Sequence, residues 1–166
     1  MAATYSFDVT TGCDLQEVDN AVNQAQKEVA QRYDFKGSAV LIDFKRSEHV
    51  IKLEAEGEMR ADALLDVLRG RLIKRGVPVR NLDISELKPG GGEIMRREIK
   101  LKMALDSDTA KKVSAAIKEA KLKKVTASIQ GEQVRVSSPD KDALQEAMSV
   151  LRKGDFEVEL QFGNYR

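Results

Sequence analysis

Between positions 32 and 36 the chain reads Arg-Tyr-Asp-Phe-Lys, two aromatic rings interleaved with both signs of charge. A purine base can stack on such a ring while cations hold phosphate, and a carboxylate can accept from the edge of a guanine. Arg32, Tyr33, Asp34, Phe35 and Lys36 are therefore candidates for a nucleotide site. Phe35 equally fits a plug beneath a sheet, and the sequence leaves both roles open. A second group of cations lies between Arg96 and Arg135, where eleven Lys and Arg side chains stand against five acids. Clustered positive charge attracts phosphate whatever the net charge of the protein, here +1. A solvated lysine-rich face would look the same.

Other chemistries lack their parts. Acyl transfer by a Ser–His–Asp or Cys–His arrangement needs a base, and the sole histidine, His49, sits beside Val50 and Ile51 in a strand-like segment, with Cys13 far off in the sequence. One histidine and one cysteine do not supply a zinc ligand set. Gly90, Gly91 and Gly92 precede a strand-like segment and no Lys-Ser or Lys-Thr pair follows them, so they do not form a phosphate loop. No enzyme activity and no cofactor are expected. No run of about eighteen apolar residues exists, and Met1 to Ser6 lacks the basic and apolar regions of a signal. A single cysteine allows no internal disulfide, so a reducing cytoplasm is the expected compartment.

The elements that must carry these residues come twice. In the first half, Phe7 and Val9 alternate as a strand. Asp14 and Glu17 have the spacing of a capping box ahead of a helix on Leu15, Val18, Val22, Ala25 and Val29. Val40, Ile42 and Phe44, then His49, Ile51 and Leu53, alternate as a hairpin. A helix from about Met59 to Lys74 and a strand over 79–84 complete the set. The second half repeats the order: a strand over 98–105, a helix over 107–121, a hairpin of 125–130 with 133–136, a helix over 139–153 opened by Ser138 and Pro139, and a strand over 156–162. The string Asp-Ala-Leu recurs at 62–64 and 142–144. Two βαββαβ patterns predict an α+β protein of two tandem ferredoxin-like sandwiches, residues 1–90 and 91–166, with the glycine-rich segment 88–93 as the joint.

In such a sandwich one sheet face is open, and alternation in the second half would leave Lys100, Lys102, Lys124, Thr126, Ser128 and Arg135 on it, with Ile129 among the buried positions. Lys100, Lys102, Lys121, Lys123, Lys124 and Arg135 are thus candidates for contact with a phosphate backbone. Lys74 and Arg75, like Lys121 to Lys124, end a helix, where cations offset the helix dipole without any ligand.

The strings Ser6-Phe7-Asp8, Asp14-Leu15-Gln16-Glu17-Val18, Arg32-Tyr33-Asp34-Phe35-Lys36, Leu64-Leu65-Asp66-Val67-Leu68-Arg69, Lys74-Arg75-Gly76, Lys121-Leu122-Lys123, Ile129-Gln130-Gly131, Val134-Arg135-Val136 and the tail Gln161-Phe162-Gly163-Asn164-Tyr165-Arg166 resemble, in order and over essentially the whole chain, the YajQ family of small bacterial nucleotide-binding proteins. The resemblance implies two ferredoxin-like domains, similar to RNA-recognition modules, whose first strands are exchanged: the strand at Phe7 would join the second sheet and that at Leu101 the first, so that neither half folds alone. It also implies binding of a nucleotide, with cyclic di-GMP receptor activity and links to transcription or tRNA among relatives. Cyclic di-GMP, GTP or ATP, RNA and a transcription regulator are the partners this suggests. For cyclic di-GMP the cations that could serve are Arg32, Lys36, Arg69, Lys74, Arg75 and Arg135. The aromatic signature of RNA-recognition sheets is missing, so any RNA contact should be mainly electrostatic.

Overall fold

The computed structural model describes residues 4–166. The chain forms two compact units, one running from Cys13 to Lys102 and the other built from Met103–Arg166 together with the described residues up to Gly12.

The Cys13–Lys102 unit opens with helix α1 (Leu15–Gln31), whose N-cap Asp14 accepts from the backbone N–H groups of Gln16 and Glu17. The reciprocal half of the expected capping box is replaced: the Glu17 carboxylate is held by Arg75 at 2.7 Å. Removing the cap with Asp14→Ala should lower stability by about 1 kcal/mol, read as a shift in the urea midpoint at unchanged slope. Strands β2 (Val40–Lys45) and β3 (Val50–Glu56) form the expected hairpin. Helix α2 (Gly57–Lys74), strand β4 (Leu82–Ile84), the two-residue strand β5 (Lys88–Pro89) and β6 (Ile94–Leu101) follow. The sheet order is β2-β3-β6-β4, with β5 beside β6, all antiparallel. Ile42, Ile51, Leu53, Ala55, Ile99 and Leu101 are buried, as are Val18, Ala21, Val22, Leu64, Leu68 and Leu72 from the apolar stripes of the two helices.

The second unit contains β1 (Tyr5–Thr10), α3 (Ser107–Glu119), β7 (Thr126–Gln130), β8 (Gln133–Ser138), α4 (Lys141–Lys153) and β9 (Gln161–Gly163). Its sheet runs β7-β8-β1-β9. Phe7 and Val9 of β1 lie opposite Val136 and Val134 of β8 and are fully buried. Burying a phenylalanine is worth roughly 2–3 kcal/mol in removed apolar surface. Phe7 also meets Phe162 edge-on, centroids 5.7 Å apart. The strand exchange is thus present in the pairing itself: β1 completes the sheet of the second hairpin, and β6 that of the first.

Several elements depart from the sequence reading. Gly90 to Gly92, expected as a joint, make the turn of a β5–β6 hairpin, with Gly90 N–H donating to Ile94 O at 2.7 Å and Ile94 N–H to Gly91 O at 3.1 Å. His49 leaves the strand and takes the left-handed region, φ 56°. Ser138 remains in β8 and Asp140 caps α4. The last strand shortens to three residues because Glu157 turns left-handed, φ 66°, while Phe156 and Val158 still enter the core. Gly154 ends α4 as expected but through close approach, since a Cβ there would lie 2.6 Å from the Phe156 ring. Ile129, expected inside, is 45% exposed at the sheet edge.

Candidate functional site

Phe35 is 4% exposed and belongs to the core, which decides between its two possible roles. Tyr33, two residues earlier in the same 3-10 turn, is 90% exposed. Arg32 is committed within the loop: its guanidinium grips Asp34 through two bonds, 3.0 and 2.7 Å, and stands 5.4 Å over the Phe35 ring. The hydrogen bond from Arg32 is the main reason the Asp34 carboxyl is held below its ordinary range, and Arg32 is raised in return. Arg32 and Asp34 therefore brace the turn, which leaves Tyr33 and Lys36 as the loop's open side chains.

Those two line a cavity of about 630 Å³ together with Asp34, Glu56, Gly57, Glu58, Met59, Arg60 and Ala63. Its far wall is the first turn of α2. Gly57 begins that helix at φ 77°, a left-handed conformation that suits glycine, with its N–H bonded to Glu93 O at 2.8 Å. No side chain caps the helix, because Glu56 turns away to accept from the Ala39 N–H at 3.0 Å. The partial positive charge of the helix N-terminus accordingly reaches the cavity. Met59 is 86% exposed, and Arg60 donates from Nε to Asp34 O at 3.1 Å, which ties the two walls together. The arrangement offers an aromatic face, a thioether, two cations, an uncapped helix start and the carboxylate of Glu58.

The remaining candidates are dispersed. Arg75 is paired with Glu17, and Arg71 occupies Glu28 through bonds of 3.0 and 2.7 Å. Lys74 borders a shallow depression of about 240 Å³ shared with Arg32, Glu28, Asp66 and Arg71. Arg69 lines neither cavity. Lys100 and Lys102 do not join the second hairpin's open face. Lys100 lies in β6 opposite Val50 and Asp83, on a face where Arg96 pairs with Glu54 at 2.9 Å and Lys45 with Asp43 at 3.0 Å. That surface is a mixed-charge mosaic. Lys102 lies past the strand, its backbone exchanging bonds with Asn81.

Arg135 is also occupied. It donates to Asp8 at 2.9 Å, and the Asp8 carboxylate, 5% exposed, further accepts from Asn164 at 2.6 Å and Gln133 at 3.5 Å. The Arg135 hydrogen bond outweighs burial and holds the Asp8 carboxyl below the usual carboxylate range. Asn164 reaches Asp8 because the tail bulges: β9 pairs Gly163 with Asp8, but Arg166 exchanges backbone bonds of 3.0 and 3.2 Å with Ser6, so three steps of the tail span two of β1, with Asn164 at φ 52°. Lys121, Lys123 and Lys124 are exposed, and among the described residues no carboxylate pairs with them. Lys121 and Lys124 are left-handed, φ 53° and 58°.

Sequence reasoning missed Gly57, Glu58, Met59 and Arg60. One signal was there: Met59, in the first turn of α2, lies off the stripe defined by Ala61, Leu64, Leu65, Leu68 and Leu72, an apolar side chain at a position that the helix does not bury. Among the described residues no helix is long and apolar enough to cross a membrane, and no group of three or more His, Cys, Asp or Glu is placed to hold a metal ion.

Comparison with known proteins bears on the whole chain. Residues 5–166 match the family model described as nucleotide-binding protein YajQ-like. The chain is 43% identical over 166 residues to a protein of Chloroherpeton thalassium and 45% identical over 166 residues to one of Thermobifida fusca, each match covering 100% of both chains. It is 47% identical over 161 residues to one of Anaeromyxobacter sp., covering 97% of this chain and 98% of the other. All three relatives are named nucleotide-binding proteins. With exchanged strands in two antiparallel sheets, a family match over nearly its full length and relatives of the same length, the chain belongs to the YajQ family.

Proposed function

We propose that the protein is a non-catalytic receptor for a guanine nucleotide, with cyclic di-GMP as the first ligand to test, and that the nucleotide binds in the cavity between the Tyr33 turn and the start of α2. The observation that carries this is the pair of large apolar side chains left in water on that cavity, Tyr33 at 90% and Met59 at 86% exposure. A ring and a thioether so placed gain by covering a flat, polarizable base. Lys36, Arg60 and the uncapped helix start suit the phosphates. Glu58 suits the N–H donors on the Watson–Crick edge of guanine. The names of the relatives support the nucleotide class, and the single cysteine supports a reducing, cytoplasmic setting. In this reading the occupied form would be recognised by a transcription regulator.

Titration calorimetry with cyclic di-GMP, GTP and ATP tests the proposal. Saturable binding of a guanine nucleotide at one or two equivalents is expected. Absence of heat for all three at millimolar ligand would reject it.

A second reading, contact with single-stranded RNA, rests on the exposed and unpaired Lys121, Lys123 and Lys124. With Arg135 held by Asp8, these three lysines are the remaining cations of the second unit's proposed phosphate surface. Replacing all three by alanine should flatten the log affinity against log salt slope by about 2, the yield of three lost phosphate contacts on a single strand. A wild-type slope near zero would exclude this reading.

A further inference from the structure

We propose that the outer edge of β7 is a self-association surface, on which a second copy of this chain adds its own β7 antiparallel. β7 ends the sheet order β7-β8-β1-β9, and its sequence Thr-Ala-Ser-Ile-Gln carries no charge. The two-residue turn at Gly131 and Glu132 joins Gln130 to Gln133, with Gly131 at φ 64° as a type II′ turn requires at its first position. Such a turn closes on a hydrogen-bonded pair, so the alternation of an antiparallel ladder bonds Gln130 and Ser128 to β8 and turns the N–H and C=O groups of Ala127 and Ile129 outward. Among the described residues no side chain bonds to those groups.

An uncharged edge with free backbone groups is a template for pairing. The other sheet shows what protection looks like. At its β2 edge, Gln26 of α1 donates to Ile42 O at 2.8 Å, and Asp43 and Lys45 place charge on the strand. β7 has neither device, and Ile129 stands 45% exposed.

The occupant follows from the residues around the strand. With Ser128 opposite Ser128 of a second copy, the outward groups of Ala127 meet those of Ile129, the two apolar side chains share the helix side of the joined sheet, and Thr126 faces Gln130. Antiparallel addition also brings the Lys124 end of one copy's β7 beside the Gly131–Glu132 turn of the other, and twofold symmetry repeats that approach of opposite charges. The edge is therefore complementary in backbone, apolar contact and charge to itself. A contact of five residues per copy is small, so the association should be weak and concentration-dependent.

Sedimentation velocity on the full chain, up to about 1 mM, should show a monomer–dimer equilibrium. Ile129→Lys, which puts a charge on the edge at an already exposed position, should weaken it at least about tenfold. Lys124→Glu and Glu132→Lys should each weaken it by about tenfold, and the two together should return it to within about threefold of wild type, since the double reversal restores both ion pairs. Amide exchange at Ala127 and Ile129 should slow on dimerisation, unlike that at Ser128. A chain that sediments as a monomer throughout, or a dimer indifferent to Ile129→Lys and to both charge reversals, would overturn the proposal.

Discussion

Arg135→Met is expected to lower stability by about 3 kcal/mol at neutral pH, because it leaves a carboxylate behind in a site nearly closed to water. Asp8 is 5% exposed and keeps only the Asn164 bond, the long Gln133 contact and the electrostatic influence of Arg166 when the Arg135 guanidinium is gone. Arg135 itself is 26% exposed, which places the cost at the lower end of the range for broken buried pairs. The double variant Asp8→Asn/Arg135→Met should recover most of the loss, since no charge is then stranded. The pH dependence has a definite sign. The folded Asp8 pKa lies below its unfolded value, so its contribution is complete above the ordinary aspartate pKa of about 3.9 and fades as pH falls through the folded value. The gap between wild type and Arg135→Met should accordingly be constant above about pH 5 and narrow below it. Urea unfolding across pH measures this; a gap under about 1 kcal/mol at pH 7, or one that widens on acidification, contradicts the account.

Tyr33→Ala should weaken guanine nucleotide binding by about tenfold to a hundredfold, the worth of one base–aromatic stack. Because Tyr33 is 90% exposed, the same change should leave stability within about 0.5 kcal/mol of wild type, which separates a lost stack from a damaged fold. Tyr33→Phe keeps the ring and should bind nearly as well. Lys36→Ala and Arg60→Ala act on phosphates and should show their losses chiefly at low salt. Unaltered affinity in Tyr33→Ala would move the ligand to another site even if calorimetry had established binding.

The fold was legible where the signal is local. The Asp-Ala-Leu string at 62–64 and 142–144 lies in the second turn of α2 and the first turn of α4, and Leu64 and Leu144 are both buried. Helix periods and hairpin alternation depend on neighbours a few residues apart, and those elements stand close to where the sequence put them. Pairing over long range left no such trace. Periodicity grouped Lys100 and Lys102 with the hairpin that follows them, whereas β6 pairs with β3 before it; only the family resemblance pointed to that exchange. The site followed the same division. The Arg32–Lys36 string was visible as a candidate, but the division of labour within it, Phe35 inward and Tyr33 outward, was not. Arg135 looked like a free cation because the acid that neutralises it lies 127 residues away in sequence. The opposite wall of the cavity, Met59 and Arg60, belongs to a helix whose first turn carries no cap to announce it.

The exchanged strand also sets an order on how the protein comes into being. Residues 13–102 are contiguous and hold all five strands of their sheet, so this unit is expected to form once its last residues have left the ribosome. β1 is made first and completed last: its partners β8 and β9 begin at Gln133 and Gln161. At elongation rates of about 5–20 residues per second the Phe7–Val9 edge waits roughly ten seconds without a sheet to join. Until then its apolar face has no partner strand, and stalled chains truncated before Gln133 should be cleaved by protease ahead of Thr10 while the unit behind it resists.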